Sequence, residues 1–218
     1  MHFNYMPTYT GPGHASIYTG ATPSAHGIVG NEWFNRSTQT ELYCTEDISV
    51  TTLGDGTDEE GKMSPKNLQS TTITDELKLS TNLKGKVIGI SLKDRGAILP
   101  AGHTANAAYW FHGKDEGRFI SSTFYMNELP KWVQDFNDKK SAEKYFKVWN
   151  TLYDIDTYNE SGADLNNFEG GFNGKDTATF PYDLAALKNK NGGYDILKAT
   201  PYGNSIVTDF ALAALDSE

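Results

Sequence analysis

The chain has 218 residues, of which 38% are apolar and 22% are charged, and its formal net charge at pH 7 is −9. This negative charge argues against general binding to nucleic acids or to anionic membranes. No apolar run approaches the roughly 20 residues of a transmembrane helix. The only cysteine, Cys44, excludes an internal disulfide bond. Composition therefore predicts a globular chain that binds neither nucleic acid nor membrane.

The first predicted element is a helix from Thr10 to Thr19. Pro12 suits its first turn, where the missing N–H costs nothing, and Gly20 suits the position that ends a helix. Thr10 is expected to be the N-cap. A helix N-terminus attracts phosphoryl oxygens through its unpaired N–H groups and its dipole. The segment is therefore a candidate phosphate site, although a threonine at such a position is most often a simple cap.

The next part of the chain alternates between strand-like and helical patterns. Residues 32–50 contain short aromatic and β-branched runs, and the acidic, glycine-rich stretch 51–61 predicts a loop. Ser64-Pro65 predicts the start of a helix. The apolar residues of that helix are Leu68, Ile73, Leu77 and Leu79. The apolar run at 87–90 predicts a short buried strand.

Lys93 and Arg95 follow this strand. In an extended segment, residues two apart project to the same side. Both side chains could then reach one oxyanion, Arg95 through a bidentate fork and Lys93 as a point charge. From the spacing alone, a solvated basic pair at a strand end is the commoner arrangement. The pair is thus a second candidate anion site with a structural alternative.

The C-terminal half predicts a strand at 119–126 and helices at 127–137 and 141–153. Their aromatic residues are expected to form a packing face: Trp132, Phe136, Tyr145, Phe146 and Trp149. The glycine- and asparagine-rich stretch 154–179 predicts a surface loop. An amphipathic helix at 203–217 has no evident packing partner in the sequence. Its apolar face therefore allows the chain to form oligomers.

A longer pattern surrounds the first helix. Thr10 is followed by x-Pro-x-His, and an asparagine, Asn31, follows a His-Gly-Ile segment 21 residues after Thr10. This region resembles the nucleophile region of the alkaline phosphatase superfamily, in particular its phosphodiesterase/nucleotide pyrophosphatase branch and the single-subunit bacterial alkaline phosphatases. The residues that fit are Thr10, Pro12, His14, His26, Gly27, Ile28 and Asn31. The resemblance implies an α/β fold, a three-layer sandwich of the alkaline phosphatase type with a cap insertion.

The resemblance also implies roles for individual residues. A Lys-x-Arg pair after such a strand is typical of the bacterial monoesterases of this group, which use it to clamp a terminal phosphate. Thr10 would be the nucleophile that forms a phosphothreonine. Asn31, Lys93 and Arg95 would bind the phosphate oxygens of small-molecule phosphate esters. The predicted activity is zinc-dependent phosphate monoester hydrolysis. Phosphodiester or nucleotide pyrophosphate hydrolysis, and anion binding without catalysis, are the alternatives.

The implied metal chemistry is incomplete in this sequence. Enzymes of the family use a pair of zinc ions, one of which contacts the nucleophile, here Thr10. Their ligands are aspartates and histidines in Asp-x-x-x-His and Asp-His motifs, and neither motif occurs in this chain. His14 and His26 match scaffold positions beside the nucleophile. We therefore expect that this chain alone binds no zinc at full occupancy and is inactive.

The missing ligands predict that residues 1–218 are an internal fragment, truncated at both ends, of an alkaline-phosphatase-like domain. The fragment is expected to form a single unit, with the cap insertion inside about 51–202. No signal-peptide pattern opens the chain. By resemblance, the parent protein is expected in the periplasm or outside the cell.

Overall fold

The computed structural model describes residues 3–6, 8–54, 59–114 and 116–218. Its helices are α1 (Thr10–Thr19), α2 (Pro23–His26), α3 (Ile73–Ser80), α4 (Asp94–Ala101), α5 (Lys131–Asp138), α6 (Leu184–Leu187) and α7 (Pro201–Ser217). Its strands are β1 (Glu32–Asn35), β2 (Thr40–Tyr43), β3 (Thr52–Leu53), β4 (Ile88–Ser91), β5 (Ala107–His112), β6 (Arg118–Ser122), β7 (Val148–Trp149) and β8 (Tyr182–Asp183). Short 3₁₀ segments lie at Glu143–Tyr145, Ile155–Thr157, Lys188–Lys190 and Gly193–Ala199.

The central element is a four-stranded sheet with the order β3-β6-β5-β4. Only β4 and β5 are parallel to each other, and α4 forms the crossover between them. The strands β1 and β2 form a separate antiparallel hairpin, and β7 pairs with β8. Within the described ranges, no helix combines the length and apolarity needed to cross a bilayer.

Helices cover both faces of this sheet. Successive side chains of a strand point to opposite faces, and the central strands have apolar side chains on both. On one face, Tyr109 and Phe111 of β5 belong to the largest core cluster. There Phe210 of α7 stacks on Phe119 of β6 with ring centroids 3.9 Å apart. On the other face, Trp110 packs in a cluster with residues of α4. The layers are helix, sheet and helix, which confirms the predicted α/β three-layer fold.

The helix α1 lies beyond α4. Ala15 of α1 and Leu99 of α4 share a small core cluster with residues of the β1–β2 hairpin and the loop that follows it. This layer therefore joins the N-terminal helix, the hairpin and α4 into one packed group. The sequence predicted α1 with its observed ends, and Gly20 ends it with a positive φ of 68°.

The helix α3 begins nine residues later than the Ser64-Pro65 start that the sequence predicts. Leu68 is buried, but it lies in the turn before the helix. The apolar residues predicted for its packing face, Ile73, Leu77 and Leu79, are 65%, 54% and 51% exposed. The helix instead buries Asp75 and Lys78. The predicted helix start and packing face were therefore both wrong.

The polar face of α3 is turned inward because its neighbours need hydrogen-bond partners. The Thr74 hydroxyl donates to the carbonyl oxygen of Pro100 at 2.7 Å, and Thr104 donates both its N–H and its hydroxyl to Asp75. The Lys78 ammonium group donates to Asn106 at 2.8 Å. Carbonyl and amide groups at a helix end and in the following turn must be paired when they are removed from water. This requirement orients α3.

Two predictions for the C-terminal half need correction. The stretch 141–153 is not one helix, since it contains a 3₁₀ turn and the strand β7. Its aromatic residues nevertheless pack against the main core as predicted. The helix α7 is not separated from its partner, because Ile206 and Phe210 are fully buried in that core. Of its predicted apolar face, Leu215 remains 80% exposed.

The remaining predictions differ by a few residues. The strand at 119–126 is observed as β6, and the helix at 127–137 is observed as α5. The stretch 154–179 is irregular apart from one 3₁₀ turn, as predicted. The strand β3 lies inside the predicted loop 51–61, of which residues 55–58 lie outside the described part of the chain. The cap insertion stays a prediction.

Candidate active site

The start of α1 is held by Asn31. Tyr9 is the N-cap of this helix and forms no side-chain bond to its first turn. Thr10, predicted as the cap, is instead the first helical residue, and it is exposed. The N–H of Gly11 donates to Oδ1 of Asn31 at 2.7 Å. Because this bond uses the carboxamide oxygen, the NH₂ group of Asn31 is available as a donor next to Thr10.

A glycine allows this close approach. A Cβ atom on Gly11 would lie 3.1 Å from the carbonyl oxygen of Gly30, 3.2 Å from Oδ1 of Asn31 and 3.3 Å from Sγ of Cys44. The N–H of Cys44 in turn donates to the carbonyl oxygen of Asn31 at 2.9 Å. The backbone on both sides of the β1–β2 hairpin thus fixes Asn31 against the first turn of α1.

Lys93 and Arg95 lie at the N-terminus of α4 rather than in an extended segment. Lys93 is the N-cap, with extended backbone and no side-chain bond to the helix, and Arg95 lies in the first turn. The prediction that the two residues lie in an extended segment and project to the same side of it was therefore wrong. The helix α4 follows β4 and begins at the carboxyl edge of the parallel strands, where ligands bind in open α/β sheets. Its dipole adds positive potential to that of the two cations.

The surroundings of Arg95 contain groups that the sequence analysis did not single out. One terminal nitrogen, Nη1, donates to the hydroxyl of Tyr43 at 2.7 Å. That hydroxyl donates to Oδ1 of Asp94 at 2.9 Å, and the hydroxyl of Thr45 donates to Oδ2 at 2.5 Å. Burial lowers the pKa of Arg95, but the hydrogen bond with Tyr43 and the negative charge of Asp94 outweigh it and raise the pKa. The guanidinium group therefore stays charged.

His14 connects α1 to the start of α4. Its Nε2 atom would lie 3.7 Å from a Cβ atom on Gly96, and that Cβ would also meet Oγ of Ser91 at 2.5 Å. Burial and then the charge of Arg95 lower the pKa of His14, so the ring is neutral near pH 7. A neutral ring can pack close to Arg95 without repelling it. The histidine lets the two helix starts approach each other.

His26 lies in the core, as the sequence predicted. Its ring is fully buried, and its Nδ1 atom accepts a hydrogen bond from the N–H of Ile28 at 3.1 Å. Nε2 is 2.9 Å from the hydroxyl oxygen of Ser16. Since Nδ1 is the acceptor, we assign the proton to Nε2, which donates to Ser16. His26 thereby ties α1 to the turn that leads to Asn31.

Hydrogen bonds link two of the four predicted site residues, Asn31 and Arg95, to neighbouring elements. Asn31 bonds the turn of helix that Thr10 begins, and the hairpin that holds Asn31 also carries Tyr43, the partner of Arg95. Next to this network is a cavity of about 360 Å³ at the carboxyl ends of β4 and β5. Its polar lining residues include the cations Lys93, Arg95 and Lys198 and the acids Asp94 and Glu60, whereas Thr10 and Asn31 do not line it. The cavity has room for a small organic phosphate.

The sequence could have pointed to part of this network. Asp94 lies between Lys93 and Arg95. A carboxylate between two cations that are expected to bind phosphate must itself be bonded elsewhere, so the sequence indicates that Asp94 has other partners. Tyr43 and Thr45 have no such signal, because they come from the end of the hairpin and the turn after it, about 50 positions earlier. Only the packing of α1, α4 and the hairpin brings them to Asp94.

A complete metal site is not part of this arrangement. Among the described residues, no group of three or more His, Cys, Asp or Glu side chains could hold a metal ion. The side chains here therefore do not fit the pair of zinc ions that the family resemblance implies. Thr10 is the single zinc contact that the sequence analysis assigned to this chain.

Comparison with known proteins gives consistent matches. A family model described as type I phosphodiesterase / nucleotide pyrophosphatase matches residues 2–182. A protein of Myroides odoratus named calcium-transporting ATPase is 53% identical over 99% of this chain and 39% of its own length. Alkaline phosphatase PhoV of Synechococcus elongatus is 52% identical over 98% of this chain and 38% of its own length.

The fold also matches solved structures. The crystal structure of wild-type alkaline phosphatase PafA matches with a TM-score of 0.94 and 46% identity, over 99% of this chain and 41% of that one. A second PafA structure, also with a TM-score of 0.94, is of a variant in which a threonine, an asparagine, a lysine and an arginine are replaced. The chain thus spans about two fifths of the length of the proteins it matches.

Proposed function

The chain belongs to the type I phosphodiesterase/nucleotide pyrophosphatase family, and we propose that it is part of a longer alkaline phosphatase that hydrolyses phosphate monoesters. The observation that carries the proposal is the placement of Lys93 and Arg95 together at the N-terminus of α4, beside a cavity at the carboxyl edge of the sheet. A monoester presents a dianionic phosphoryl group, which gains more from two cations and a helix dipole than a diester monoanion does.

The proposed chemistry assigns one role to each predicted site residue. The hydroxyl of Thr10 loses its proton as its oxygen attacks phosphorus, the bond from phosphorus to the ester oxygen breaks, and the leaving alcohol takes up a proton. Water then hydrolyses the phosphothreonine and releases inorganic phosphate. Asn31, Lys93 and Arg95 bind the non-bridging oxygens in both steps, so their contribution is positioning and charge stabilisation.

The PafA variant supports this assignment. Its replaced threonine, asparagine, lysine and arginine follow one another at the same intervals as Thr10, Asn31, Lys93 and Arg95. A set of four residue types repeated at three identical intervals is a specific correspondence, because the longest interval spans the hairpin, α3 and β4.

The zinc ions belong to the proposal for the longer protein. The described residues contain no metal-holding group, so we place the remaining ligands in parts of the parent that this chain does not include. Alone, this chain would then bind no stoichiometric zinc and would not turn over. By the same family resemblance, we propose that the parent acts in the periplasm or outside the cell.

The isolated chain tests the metal part of the proposal. The experiment measures bound zinc and the turnover of a phosphate monoester with added zinc, with Thr10→Ala as the control. We expect neither stoichiometric zinc nor turnover. Stoichiometric zinc with turnover that Thr10→Ala abolishes would show that residues of this chain complete the metal site, and the proposed division between chain and parent would be wrong.

The longer protein tests the substrate class. Lys93→Ala and Arg95→Ala are each expected to lower kcat/KM for a monoester by about 10² to 10³, the usual effect of removing one group that stabilises transition-state charge. The loss on a diester should be smaller, because a diester presents less charge to the two cations. Lys188→Ala is the matched control, since Lys188 pairs with Glu143 away from this site. Equal losses on both substrates would favour a diesterase, and ATP in the panel tests the nucleotide alternative.

A further inference from the structure

The sequence Lys93-Asp94-Arg95 places a carboxylate between the two cations of the proposed phosphate site. Such a carboxylate opposes phosphate binding in two ways. Its charge repels the phosphoryl oxygens, and it can form a bidentate ion pair with the arginine that is meant to bind them. An unrestrained Asp94 would therefore compete directly with the substrate for Arg95.

Two hydroxyl groups restrain Asp94. Its oxygens accept separate hydrogen bonds, Oδ1 from Tyr43 at 2.9 Å and Oδ2 from Thr45 at 2.5 Å. Thr45 is fully buried, so its hydroxyl is fixed by the surrounding packing. In the described part of the chain, no ion pair joins Asp94 to Arg95, although the two residues are adjacent in sequence. The carboxylate is thus bonded to the hairpin rather than to the guanidinium.

The Tyr43 hydroxyl lies between the acid and the arginine. It donates its proton to Asp94 and accepts a hydrogen bond from Nη1 of Arg95 at 2.7 Å. The guanidinium carbon also lies over the Tyr43 ring, 5.9 Å from its centre. Burial and the charge of Asp94 raise the pKa of Tyr43, and the phenol therefore keeps the proton that this arrangement requires.

We propose that Tyr43 is a positioning residue, which links Arg95 to Asp94 through a neutral hydroxyl and so prevents a direct ion pair. The bond occupies Nη1 and leaves the other terminal nitrogen, Nη2, for a phosphate oxygen. Tyr43 pairs with Glu32, which follows Asn31 in the sequence. The same hairpin therefore positions two phosphate-binding residues, Asn31 directly and Arg95 through Tyr43. This inference rests on the proposed function, since the anion that Arg95 receives is the phosphoryl group.

Phosphate binding by the chain as it exists provides the first test. The affinity for inorganic phosphate is measured by calorimetry for the wild type, Tyr43→Phe, Arg95→Ala and the double variant. Tyr43→Phe removes one hydrogen bond to a charged group and is expected to weaken binding about tenfold. In the Arg95→Ala background the same change should have no further effect, because Tyr43 acts through Arg95.

The matched control is Tyr145→Phe. The hydroxyl of Tyr145 also donates to a carboxylate, Asp209, at 2.5 Å, and it lies in the large core cluster on the other face of the sheet. This variant should bind phosphate like the wild type. Equal phosphate affinity of Tyr43→Phe and wild type, or an undiminished effect in the absence of Arg95, would overturn the positioning role.

A second measurement does not depend on phosphate. Rotation of the Arg95 guanidinium about its Nε–Cζ bond is followed by nitrogen-15 NMR of the side chain. We expect slow rotation in the wild type and a change in Tyr43→Phe, with no change in Tyr145→Phe. If the wild type binds no phosphate but Tyr43→Phe still changes the rotation of Arg95, the proposed phosphate site is wrong and the positioning role of Tyr43 is supported. If Tyr43→Phe leaves the rotation unchanged, the inference is wrong whatever the phosphate result.

Discussion

The N-termini of α3 and α4 differ in how their first turns are satisfied. At α3, the hydroxyl of Thr72 accepts from the N–H of Asp75, and the Asp75 carboxylate accepts from the N–H of Thr72. At α4, the N-cap Lys93 gives no side-chain bond to the helix. One helix start is closed by its own residues, and the other presents cations and its dipole to a cavity. A helix start that is capped by its own side chains stabilises the fold, whereas one that is left uncapped can bind an anion.

The acidic residues in the first turns of α3 and α4, Asp75 and Asp94, also differ in what they bind. Asp75 is buried and serves the fold, because Thr104 donates to it at 2.7 Å from the backbone and at 2.8 Å from the hydroxyl. These bonds fix the turn between α4 and β5. Asp94 of α4 is bonded instead to Tyr43, which ends the hairpin beside Asn31, and to Thr45 in the turn that follows it. The bonds of Asp75 stabilise the backbone, whereas those of Asp94 orient the groups of the site.

The first prediction concerns acid stability and has the largest expected effect. Burial raises the pKa of Asp75, but the hydrogen bonds from Thr72 and Thr104 outweigh it and lower the pKa from 3.8 to about 2. A lowered pKa in the folded state stabilises the fold above the unfolded pKa, and this stability is lost as the pH falls toward 2. The contribution is on the order of 2 kcal/mol. Denaturant unfolding between pH 5 and 2 should show this loss in the wild type and a shallower slope in Asp75→Asn.

The control for this prediction is Asp216→Asn, because Asp216 is exposed on α7. Its slope should match that of the wild type. Asp47 also has a pKa lowered to about 2, so part of the acid dependence should remain in every variant. If Asp75→Asn keeps the full wild-type slope, the closed start of α3 does not contribute to stability in the way we describe.

The second prediction converts one helix start into the other. Lys93→Ser supplies a hydroxyl at the N-cap of α4, and serine caps stabilise helices by about 1 kcal/mol. We therefore expect a higher free energy of unfolding together with about tenfold weaker phosphate binding, since one cation is lost. Denaturant unfolding and calorimetry check the two expectations on one sample.

Lys84→Ser, at an exposed position, is the matched control and should change neither quantity. A Lys93→Ser variant that is less stable than the wild type would contradict the comparison, because it would show that Lys93 already satisfies the first turn. Unchanged phosphate binding would instead remove Lys93 from the proposed site.

The sequence predicted a phosphate-binding pair in α4 but not the helix itself. The assignment of Lys93 and Arg95 to phosphate stays a prediction, and the apolar run before them favoured continued strand. Pro100 lies in the last turn of α4, and a proline inside a segment argues against a helix there. Gly102, with a φ of 77°, ends the helix. The start of α1 was easier to predict, because Pro12 and Gly20 mark its first and last turns in the sequence.

The orientation of α3 could not be predicted from its own residues. Its apolar positions are those of an ordinary packing face, but the residues that decide its orientation lie at 100–106, on the far side of β4 and α4 in the sequence. The partner of α7 was hidden for the same reason, since Phe119 and Tyr109 come from strands about 90 positions away. Periodicity identifies which residues could be buried, and tertiary contacts decide which ones are.

The smallest predicted effect tests this conclusion on α3. Leu77→Gln removes an exposed apolar side chain and should change the free energy of unfolding by less than about 0.5 kcal/mol. Lys78→Met, one position later, removes the buried hydrogen bond to Asn106 and should cost about 1.5 kcal/mol. Both values come from denaturant unfolding of the same chain. A helix oriented as the sequence predicts would give the reverse order, because Leu77 would then be the buried residue.

A large loss for Leu77→Gln would have a second physical meaning that ultracentrifugation can identify. If Leu77 were covered in solution by a second copy of the chain, its replacement would lower the stability and shift the molecule toward the monomer at the same time. A loss of stability without a change in mass would instead require α3 to turn its apolar side inward. Asp75 and Lys78 would then lose the partners that hold the turn at 100–106, so the acid dependence assigned to Asp75 would disappear as well.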